Sequence, residues 1–520
     1  MKKFWAILLA MMLVLSMVTV AGATEVENPS TDAQGTTTTT DAATATITAP
    51  DNGHTYEILQ IFKGDLHNSV LSNLVWGKNG NGTEGEAVPE TNINELKAKV
   101  GDTAVREYIV NNLLNSADPF ATIGKVGEEF VASMVVPTGY YLIRDKANTL
   151  TGKDDSYTLY IVKITGDVTI EPKAAKPSLI KKIKDVNDTT GVTSDWQDSA
   201  DYDIGDAVPY RLTATVATNF ASYKGAYKLV FHDTMETGLT FNENSVKVFV
   251  NEAEVANTFY TVTKTNDQNF TVTIADLKTL TYGENNTNVV AGNEIHVEFT
   301  ATLNENANIG AKGNLNTGYL EFANNPNSEQ PEMGETPKDT VIAFTYQLDV
   351  NKVVNGATDN ELVLKKGAHF KLEKKIGNDT WNLIKEYTDD TTDIFVFKGL
   401  DDGQYRLTET QAPAGYNKIA PIIFNITATH TDTVPEITDT NRKDILTALN
   451  GTVNDGVIEF THDKTNDPDR LVTNIVNKSG ATLPETGGIG TTIFYVLGGM
   501  MFVGAALILI VRRKAEADEI

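Results

Sequence analysis

Apolar and polar residues alternate in short runs along most of the chain. Representative runs are HTYEILQIF, GYYLIRD, YTLYIVKIT, VPYRLTATVAT, EIHVEFTATL, IAFTYQLDVNKVV, AHFKLEKK and QYRLTET. A period of two predicts strands with one buried face, and the Gly, Asn, Asp and Pro residues between runs predict turns. The pattern indicates antiparallel β-sandwiches in series. Residues 93–115, INELKAKVGDTAVREYIVNNLLN, carry apolar residues at helical spacing and predict one helical insertion.

Two proline-containing segments interrupt the strand pattern and mark domain boundaries. They are EPKAAKPSLIKK at 171–182 and NNPNSEQPEMGETPKDT at 324–340. We therefore predict three domains, at 46–172, 173–340 and 341–480. Residues 24–45 are rich in Thr, Ala and acidic side chains, and they contain too little apolar surface to order themselves, so they are interpreted as a flexible leader.

Both ends of the chain carry apolar runs of membrane type. The run 489–511 has no charge and is long enough to cross a bilayer as a helix, and the basic residues at 512–514 favour a cytoplasmic tail. At the start, basic residues and an apolar run precede the small residues AGA, which is typical of a secretory signal. We predict cleavage after Ala23, so that 1–23 is a signal peptide; a retained N-terminal anchor is the alternative.

Composition narrows the function classes. The formal net charge is −26, and an acidic surface of this kind argues against nucleic acid as a partner, because phosphates bind to Lys and Arg. The chain has no cysteine, so a secreted protein of this length must obtain any covalent reinforcement from chemistry other than disulfides.

Strand phase directs several reactive side chains towards predicted cores. Lys181 lies in phase between two apolar residues of PSLIKKIKD, and Lys352 continues the apolar face of FTYQLDVNKVV. Asn324 continues the apolar face of GYLEFANN, and Glu409 that of QYRLTET. The alternative is that each residue ends its strand at a solvated rim, which is the usual place for Lys and Glu.

Burial would give these side chains a specific chemistry. A buried lysine tends towards its neutral, nucleophilic amine, and a buried carboxyl towards its protonated form. A protonated carboxyl can polarise an amide carbonyl. With an asparagine amide between them, the expected products are an amide crosslink and ammonia.

Other chemistry has weak support in the sequence. The seven histidines form no HExxH-type spacing, and no GxxxxGK[ST] loop is present. The segments DVNDTTG and TNDPD offer oxygen ligands but lack the full calcium-loop pattern, so they are interpreted as turns. We therefore predict no cofactor and no metal.

The C-terminal segment resembles the cell-wall sorting signal of Gram-positive surface proteins. Its motif comprises Leu483, Pro484, Glu485, Thr486 and Gly487, and the apolar run and the basic tail follow within residues 481–520. The resemblance implies that a sortase cuts between Thr486 and Gly487. The predicted membrane segment would hold this substrate beside a membrane-bound transpeptidase.

Most of the chain resembles the backbone subunits of sortase-assembled pili. The segments that carry this resemblance are YEILQIFKGDL and GYYLIRD in the first domain, GDAVPYRLTATV, HDTMETGLTF and GNLNTGYLEFANNP in the middle domain, and the E-box-like LTETQAPAGY at 407–416. The resemblance implies an all-β fold of tandem immunoglobulin-like (CnaA/CnaB-type) sandwiches, with a small helical insertion in the first domain.

The same resemblance implies a self-formed Lys–Asn isopeptide bond in each of the last two domains. In the middle domain it would join Lys181 to Asn324, with Asp233 as the acid. In the last domain it would join Lys352 to Asn477, with Glu409 as the acid. Alternatives that remain open are Asn474 in place of Asn477, and Lys182 and Asn325 if a strand register is shifted by one. No bond is predicted in the first domain.

The segment DVTIEPK, at 167–173, is similar to the pilin motif of the same family. Its lysine, Lys173, would attack the sortase-bound Thr486 of another subunit. Glu171 stands where the motif usually has tyrosine, so Lys176 remains an alternative nucleophile.

These features together favour the major structural subunit of a secreted, wall-anchored pilus that supports adhesion. The expected partners are sortase, identical subunits joined head to tail, minor pilins, peptidoglycan and a host surface ligand. A monomeric wall-anchored adhesin of the same sandwich type is the alternative. A secreted wall-active enzyme is disfavoured, because no cysteine nucleophile and no histidine-centred constellation is present.

Overall fold

A computed structural model of the chain describes residues 43–517, apart from 69, 101, 116, 151, 153–154, 171–175, 359–360, 454–457, 467 and 480–488. The predicted signal peptide and most of the predicted leader lie outside the described residues. The described chain is built mainly of strands that form paired sheets, as the alternating pattern predicts. The all-β prediction is therefore confirmed.

The first domain contains two sheets and a helical insertion. Its strands are β1 Thr44–Thr48, β2 Thr55–His67, β3 Val70–Trp76, β4 Ala121–Val126, β5 Glu129–Val131, β6 Ser133–Pro137, β7 Gly139–Asp145, β8 Leu159–Ile164 and β9 Val168–Thr169. The sheets have the orders β6-β1-β9 and β5-β4-β2-β7-β8, with β3 beside β2. Strand β1 begins two residues before the predicted domain start, and Ala45 is buried in it.

The helical insertion is divided, although the sequence predicts one helix over 93–115. Helix α1 is Glu90–Lys97, helix α2 is Asp102–Tyr108, and a π-helical turn, Ile109–Leu113, follows. The break contains Val100, which is 90% exposed. A β-branched residue next to glycine has low helix propensity, and no packing compensates for it here.

The middle domain is a sandwich of two large sheets, with orders β10-β12-β21-β15-β16 and β11-β24-β22-β13-β18-β17. Its strands are β10 Leu179–Ile183, β11 Ser199–Asp201, β12 Ala207–Thr215, β13 Leu229–Met235, β14 Leu239–Phe241, β15 Lys247–Val250, β16 Ala253–Glu254, β17 Thr261–Asn266, β18 Asn269–Ile274, β19 Thr281–Tyr282, β20 Thr287–Asn288, β21 Glu294–Leu303, β22 Asn314–Ala323, β23 Met333–Glu335 and β24 Asp339–Phe344. Because β24 pairs with β22, this domain extends to Phe344, past the predicted boundary at 340.

The last domain is a sandwich with sheet orders β26-β25-β34-β33 and β28-β27-β30-β31-β32, in which β29 also pairs with β25. Its strands are β25 Tyr346–Asn355, β26 Leu362–Leu364, β27 His369–Ile376, β28 Thr380–Tyr387, β29 Ile394–Leu400, β30 Gly403–Gln411, β31 Ile422–His430, β32 Leu446–Val453, β33 Phe460–Asp463 and β34 Arg470–Asn477. The first and last strands, β25 and β34, run parallel and side by side.

The C-terminal helix α3 is Ile489–Ala517. Its segment Phe494–Arg513 is long and apolar enough to cross a membrane, and none of it is buried against the rest of the chain. This helix agrees with the membrane segment that the sequence predicts.

Candidate crosslinking sites

Lys181 lies inside the middle domain. It is the central residue of β10, flanked on the same face by buried Leu179 and Ile183, and its side chain is completely buried. Its ammonium group donates a short hydrogen bond to the Asp233 carboxylate on β13. The ammonium also lies 5.3 Å from the ring centre of Tyr210 and 5.0 Å from that of Phe299. The lysine and the acid therefore meet in an aromatic, water-excluding core.

Burial shifts this pair towards its neutral forms. Desolvation lowers the pKa of Lys181, although the attraction of Asp233 opposes that shift. Desolvation also raises the pKa of Asp233, against the opposing effects of Lys181 and Asn316. A neutral amine beside a protonated carboxyl is the pairing that nucleophilic attack on an amide requires.

The structure does not bring Asn324 to this pair. Asp233 lies opposite Gly318 on β22, and Asn324 lies six residues further along the chain, about 20 Å away at strand spacing. The amide of Asn324 donates instead to the backbone oxygen of Asp155, 3.2 Å away in the first domain. Strand phase predicts only the face on which a residue lies, and it carries no information on how far along the strand the lysine is.

The asparagine that does lie at this pair is Asn316, which the sequence analysis missed. It is completely buried on β22, and it is the diagonal neighbour of Asp233 across the sheet. Burial raises the pKa of Asp233 and that of Tyr210, and the Asn316 amide partly opposes both shifts. Among the described residues, neither amide atom of Asn316 has a partner with hydrogen-bond geometry. Asn316 shares the phase of Gly318, so the period-two pattern contained a signal for it.

The register-shifted alternatives lie elsewhere. The ammonium of Lys182 pairs with Asp198, on the other face of β10. The amide of Asn325 donates to Glu332, 3.0 Å away. Neither residue lies in the core that contains Lys181.

Lys352 occupies the equivalent position in the last domain. It is completely buried on β25, and its ammonium donates to the backbone oxygens of Val353 and Ile475, each 2.9 Å away. Desolvation lowers the pKa of Lys352 to about 8, although the nearby Glu409 carboxylate opposes the shift. This shift favours the neutral, nucleophilic amine relative to a solvated lysine.

Glu409 connects this lysine to an asparagine. Its Oε1 accepts a hydrogen bond from Asn477 Nδ2 at 2.8 Å, and its Oε2 accepts one from the backbone nitrogen of Ile419 at 2.8 Å. Burial raises the pKa of Glu409, against these hydrogen bonds. Asn477 is itself buried, and its carbonyl oxygen has no hydrogen-bond partner among the described residues.

The parallel pairing of β25 and β34 decides which asparagine faces the lysine. Lys352 lies opposite Ile475, so Asn477 lies two residues further along on the same face. Asn474 lies on the opposite face, is exposed, and accepts a hydrogen bond from Asn351 at 3.0 Å. The structure therefore groups Lys352, Glu409 and Asn477 and separates Asn474 from them.

The residues predicted to join subunits lie outside the described chain. These are Lys173 and the whole sorting motif, Leu483, Pro484, Glu485, Thr486 and Gly487. The alternative nucleophile Lys176 is described, and its ammonium lies 2.9 Å from the Asp155 carboxylate.

Two groups of ligand-type side chains lie where the middle and last domains meet. One group consists of Asp188, Asp203, Asp206 and Asp401, and the other consists of Asp185, Asp201 and His430. The first group already surrounds an internal cation, because the Lys374 ammonium contacts Asp401 and lies 2.6 Å from Asp203. Its geometry is that of an ion-pair network joining two domains, a contact that the sequence analysis did not predict.

Three family models match the chain. "Gram-positive pilin backbone subunit 2, Cna-B-like domain" covers residues 204–326, "Prealbumin-like fold domain" covers 348–443 and "LPXTG cell wall anchor motif" covers 475–517. Tandem Cna-B-like and prealbumin-like sandwiches that precede this anchor define a wall-anchored surface protein of Gram-positive bacteria. The chain is a backbone pilin, the major subunit of a sortase-assembled surface pilus.

Similar proteins include the trypsin-resistant surface T6 protein of Streptococcus pyogenes serotype M6. It is 26% identical over 430 residues, which cover 71% of this chain and 74% of the relative. Two solved structures also align with the chain. The T6 backbone pilin of S. pyogenes has 16% identity, coverage of 85% and 94%, and a TM-score of 0.45. The full-length major pilin SpaD of Corynebacterium diphtheriae has 18% identity, coverage of 85% and 98%, and a TM-score of 0.44.

Proposed function

We propose that this pilin reinforces itself with two intramolecular isopeptide bonds and is polymerised by sortase through a third. Within the subunit, Lys352 bonds to Asn477 and Lys181 bonds to Asn316. The observation that carries the proposal is the buried arrangement in the last domain, where Glu409 is hydrogen bonded to the Asn477 amide beside Lys352.

Each intramolecular bond forms by the same balanced step. The neutral lysine Nζ attacks Cγ of the asparagine while the protonated carboxyl polarises the carbonyl oxygen. A new Nζ–Cγ bond forms, the Cγ–Nδ2 bond breaks, and one proton passes from Nζ through the carboxyl to Nδ2. Ammonia leaves, and the carboxyl ends in its original protonation state. No oxidant and no cofactor is required.

Both bonds link an early strand of a domain to a late one. Lys352 is on the first strand of the last domain and Asn477 is on its final strand, while the middle-domain bond links β10 to β22. Tension along the pilus therefore loads a covalent bond before the sheets can separate. This arrangement suits a cysteine-free extracellular shaft.

The direction of polymerisation follows from the sequence positions of the two residues that join subunits. Lys173 precedes the middle domain and Thr486 follows the last domain, so joining them stacks subunits head to tail. Such a heterologous contact propagates instead of closing.

Processing should expose Thr486. In protein released from the cell wall by muralytic digestion, we expect the most C-terminal peptide to end at Thr486, because the sorting motif lies directly before the membrane helix. Mass spectrometry of the digested protein measures this, with Pro484→Ala as the unprocessed control. Wall-linked protein that retains the Arg512 peptide would contradict the assignment.

Lys173 should supply the amine for polymerisation. Replacing it with arginine keeps the positive charge but removes the nucleophile, because the guanidinium group stays protonated. We expect an immunoblot of wall extracts to lose the high-mass ladder and keep the monomer. Lys176→Arg is the matched control and should keep the ladder; the opposite result would transfer the role to Lys176.

A further inference from the structure

An exposed apolar strand lies on the edge of the last domain. Strand β26 consists of Leu362, Val363 and Leu364, which are 46%, 44% and 44% exposed. In the described chain it is an end strand of its sheet, and it shares that side of β25 with β29. Natural proteins usually protect such edges with charges or cover them, because an apolar edge pairs readily with another chain. Strand β26 therefore has the properties of a docking surface.

This strand lies beside the point where the chain leaves for the sorting motif. Strand β25 pairs with β26 on one side, with Asn355 opposite Leu362, and with β34 on the other, with Val354 opposite Asn477. Two strand spacings place β26 about 10 Å from the end of β34. Thr486 lies nine residues after Asn477, at most about 32 Å of extended chain.

A second exposed edge lies where the first domain leads to Lys173. Strand β9 ends at Thr169, and β1 lies between β9 and β6 in the sheet. Thr48 of β1 pairs with Thr169 on one side and with Ser133, the first residue of β6, on the other. Edge strand β5 ends two residues before Ser133, and its Phe130 is 42% exposed. Lys173 lies three residues after Ile170, at most about 11 Å of chain. Each residue of the proposed intersubunit bond thus follows, by a short stretch of chain, a strand end that lies near an apolar edge strand.

The two edges also have complementary charge and equal length. Strands β26 and β5 are each three residues long. Lys365 and Lys366 follow β26 directly, whereas Glu128 and Glu129 lie at the start of β5. An antiparallel alignment with Val363 opposite Phe130 places Lys365 opposite Glu128 and Lys366 diagonally across from Glu129. Opposite charges at a rim select the correct partner and orientation.

We propose that β26 of one subunit docks on β5 of a second copy of this chain, and that this contact presents Thr486 to Lys173. The inference rests on the proposed head-to-tail linkage. The two tethers together allow about 43 Å, so a contact between these edges is compatible with the covalent bond. Docking raises the effective concentration of the lysine at the sortase-bound threonine, and after bonding it stiffens the junction.

Charge reversal tests the contact in cells that carry the cognate sortase. We expect Lys365→Glu with Lys366→Glu to slow ladder formation about tenfold, because like charges then face each other at the rim. Glu128→Lys with Glu129→Lys should do the same. All four substitutions together should restore the ladder, because every junction again pairs opposite charges. The measurement is the rate at which dimers and higher species appear on immunoblots of wall extracts.

Apolar controls separate docking from folding. Val363→Glu should shorten the ladder, whereas Leu383→Glu should not, since Leu383 is 57% exposed on the other sheet of the same domain. Intact mass and the unfolding midpoint of each secreted ectodomain check that the fold is unchanged.

The possible outcomes separate this contact from the proposed linkage. A wild-type protein that forms no ladder would overturn the head-to-tail linkage itself. If the wild type forms a ladder and every β26 and β5 variant forms the same ladder at the same rate, only the docking contact is overturned. Failure of the fourfold variant to recover would show that these two edges do not meet.

Discussion

Replacing Glu409 with alanine leaves Lys352 and Asn477 unbonded. The wild-type ectodomain is expected to be lighter than its sequence by two ammonia molecules, and the Glu409→Ala ectodomain by only one. The reason is that the Glu409 carboxyl is the group hydrogen bonded to the Asn477 amide, and no other acid among the described residues takes that place. Intact-mass spectrometry of recombinant protein measures the difference.

The loss of this bond should also lower stability substantially. Linking residues 352 and 477 closes a long loop in the unfolded chain, and by analogy with disulfides its removal costs roughly 3 to 5 kcal/mol of unfolding free energy. Denaturant unfolding of the ectodomain measures this change. Glu386→Ala is the matched control, because Glu386 is exposed on β28 of the same domain. A Glu409→Ala protein that still lacks two ammonia molecules would contradict the assigned role.

Asn316→Ala should abolish the middle-domain bond, whereas Asn324→Ala should leave it intact. Asn316 lies in the core with Asp233 and Lys181, and Asn324 lies at the junction with the first domain. We therefore expect the Asn316→Ala ectodomain to be lighter than its sequence by one ammonia molecule. The Asn324→Ala ectodomain should be lighter than its sequence by two. The stability loss should again be roughly 3 to 5 kcal/mol, because the closed loop is of similar length.

Peptide mapping identifies the bonded asparagine directly. A branched tryptic peptide that joins the segment containing Lys181 to the segment containing Asn316 is the expected product in wild-type protein. A branch at Asn324, or linear peptides for both segments, would contradict the proposed pair. Asn324→Ala serves as the control for any general effect of removing a buried asparagine.

Strand phase predicted much of the last-domain site from sequence. The alternation in FTYQLDVNKVV and QYRLTET directed Lys352 and Glu409 inward, and both side chains are buried in the structure. Here the first and last strands are parallel neighbours, so residues close to the two strand ends meet. The choice between Asn477 and Asn474 then depends on face alone, which a period of two distinguishes.

The middle-domain site shows where the sequence pattern stops being informative. Asn316 and Asn324 have the same phase on the same extended segment, so alternation treats them as equivalent. They differ in position along the chain, because Asn316 lies within β22 and Asn324 lies just past its end. Which of them is near Lys181 is set by the pairing of β22 with β13 and by the position of β10 across the sandwich. Such long-range register is a property of the assembled sheets.

The sequence by itself determined the β-rich architecture, the inward faces of Lys181, Lys352 and Glu409, and the anchor at the C-terminus. These features depend on local periodicity and on the length of an apolar run, which neighbouring residues specify. Tertiary structure alone decided that Asn316 accompanies Lys181, that Lys374 joins two domains through buried carboxylates, and that β26 remains an uncovered edge. Each of these depends on which distant strands become neighbours, and side-chain alternation does not encode that choice.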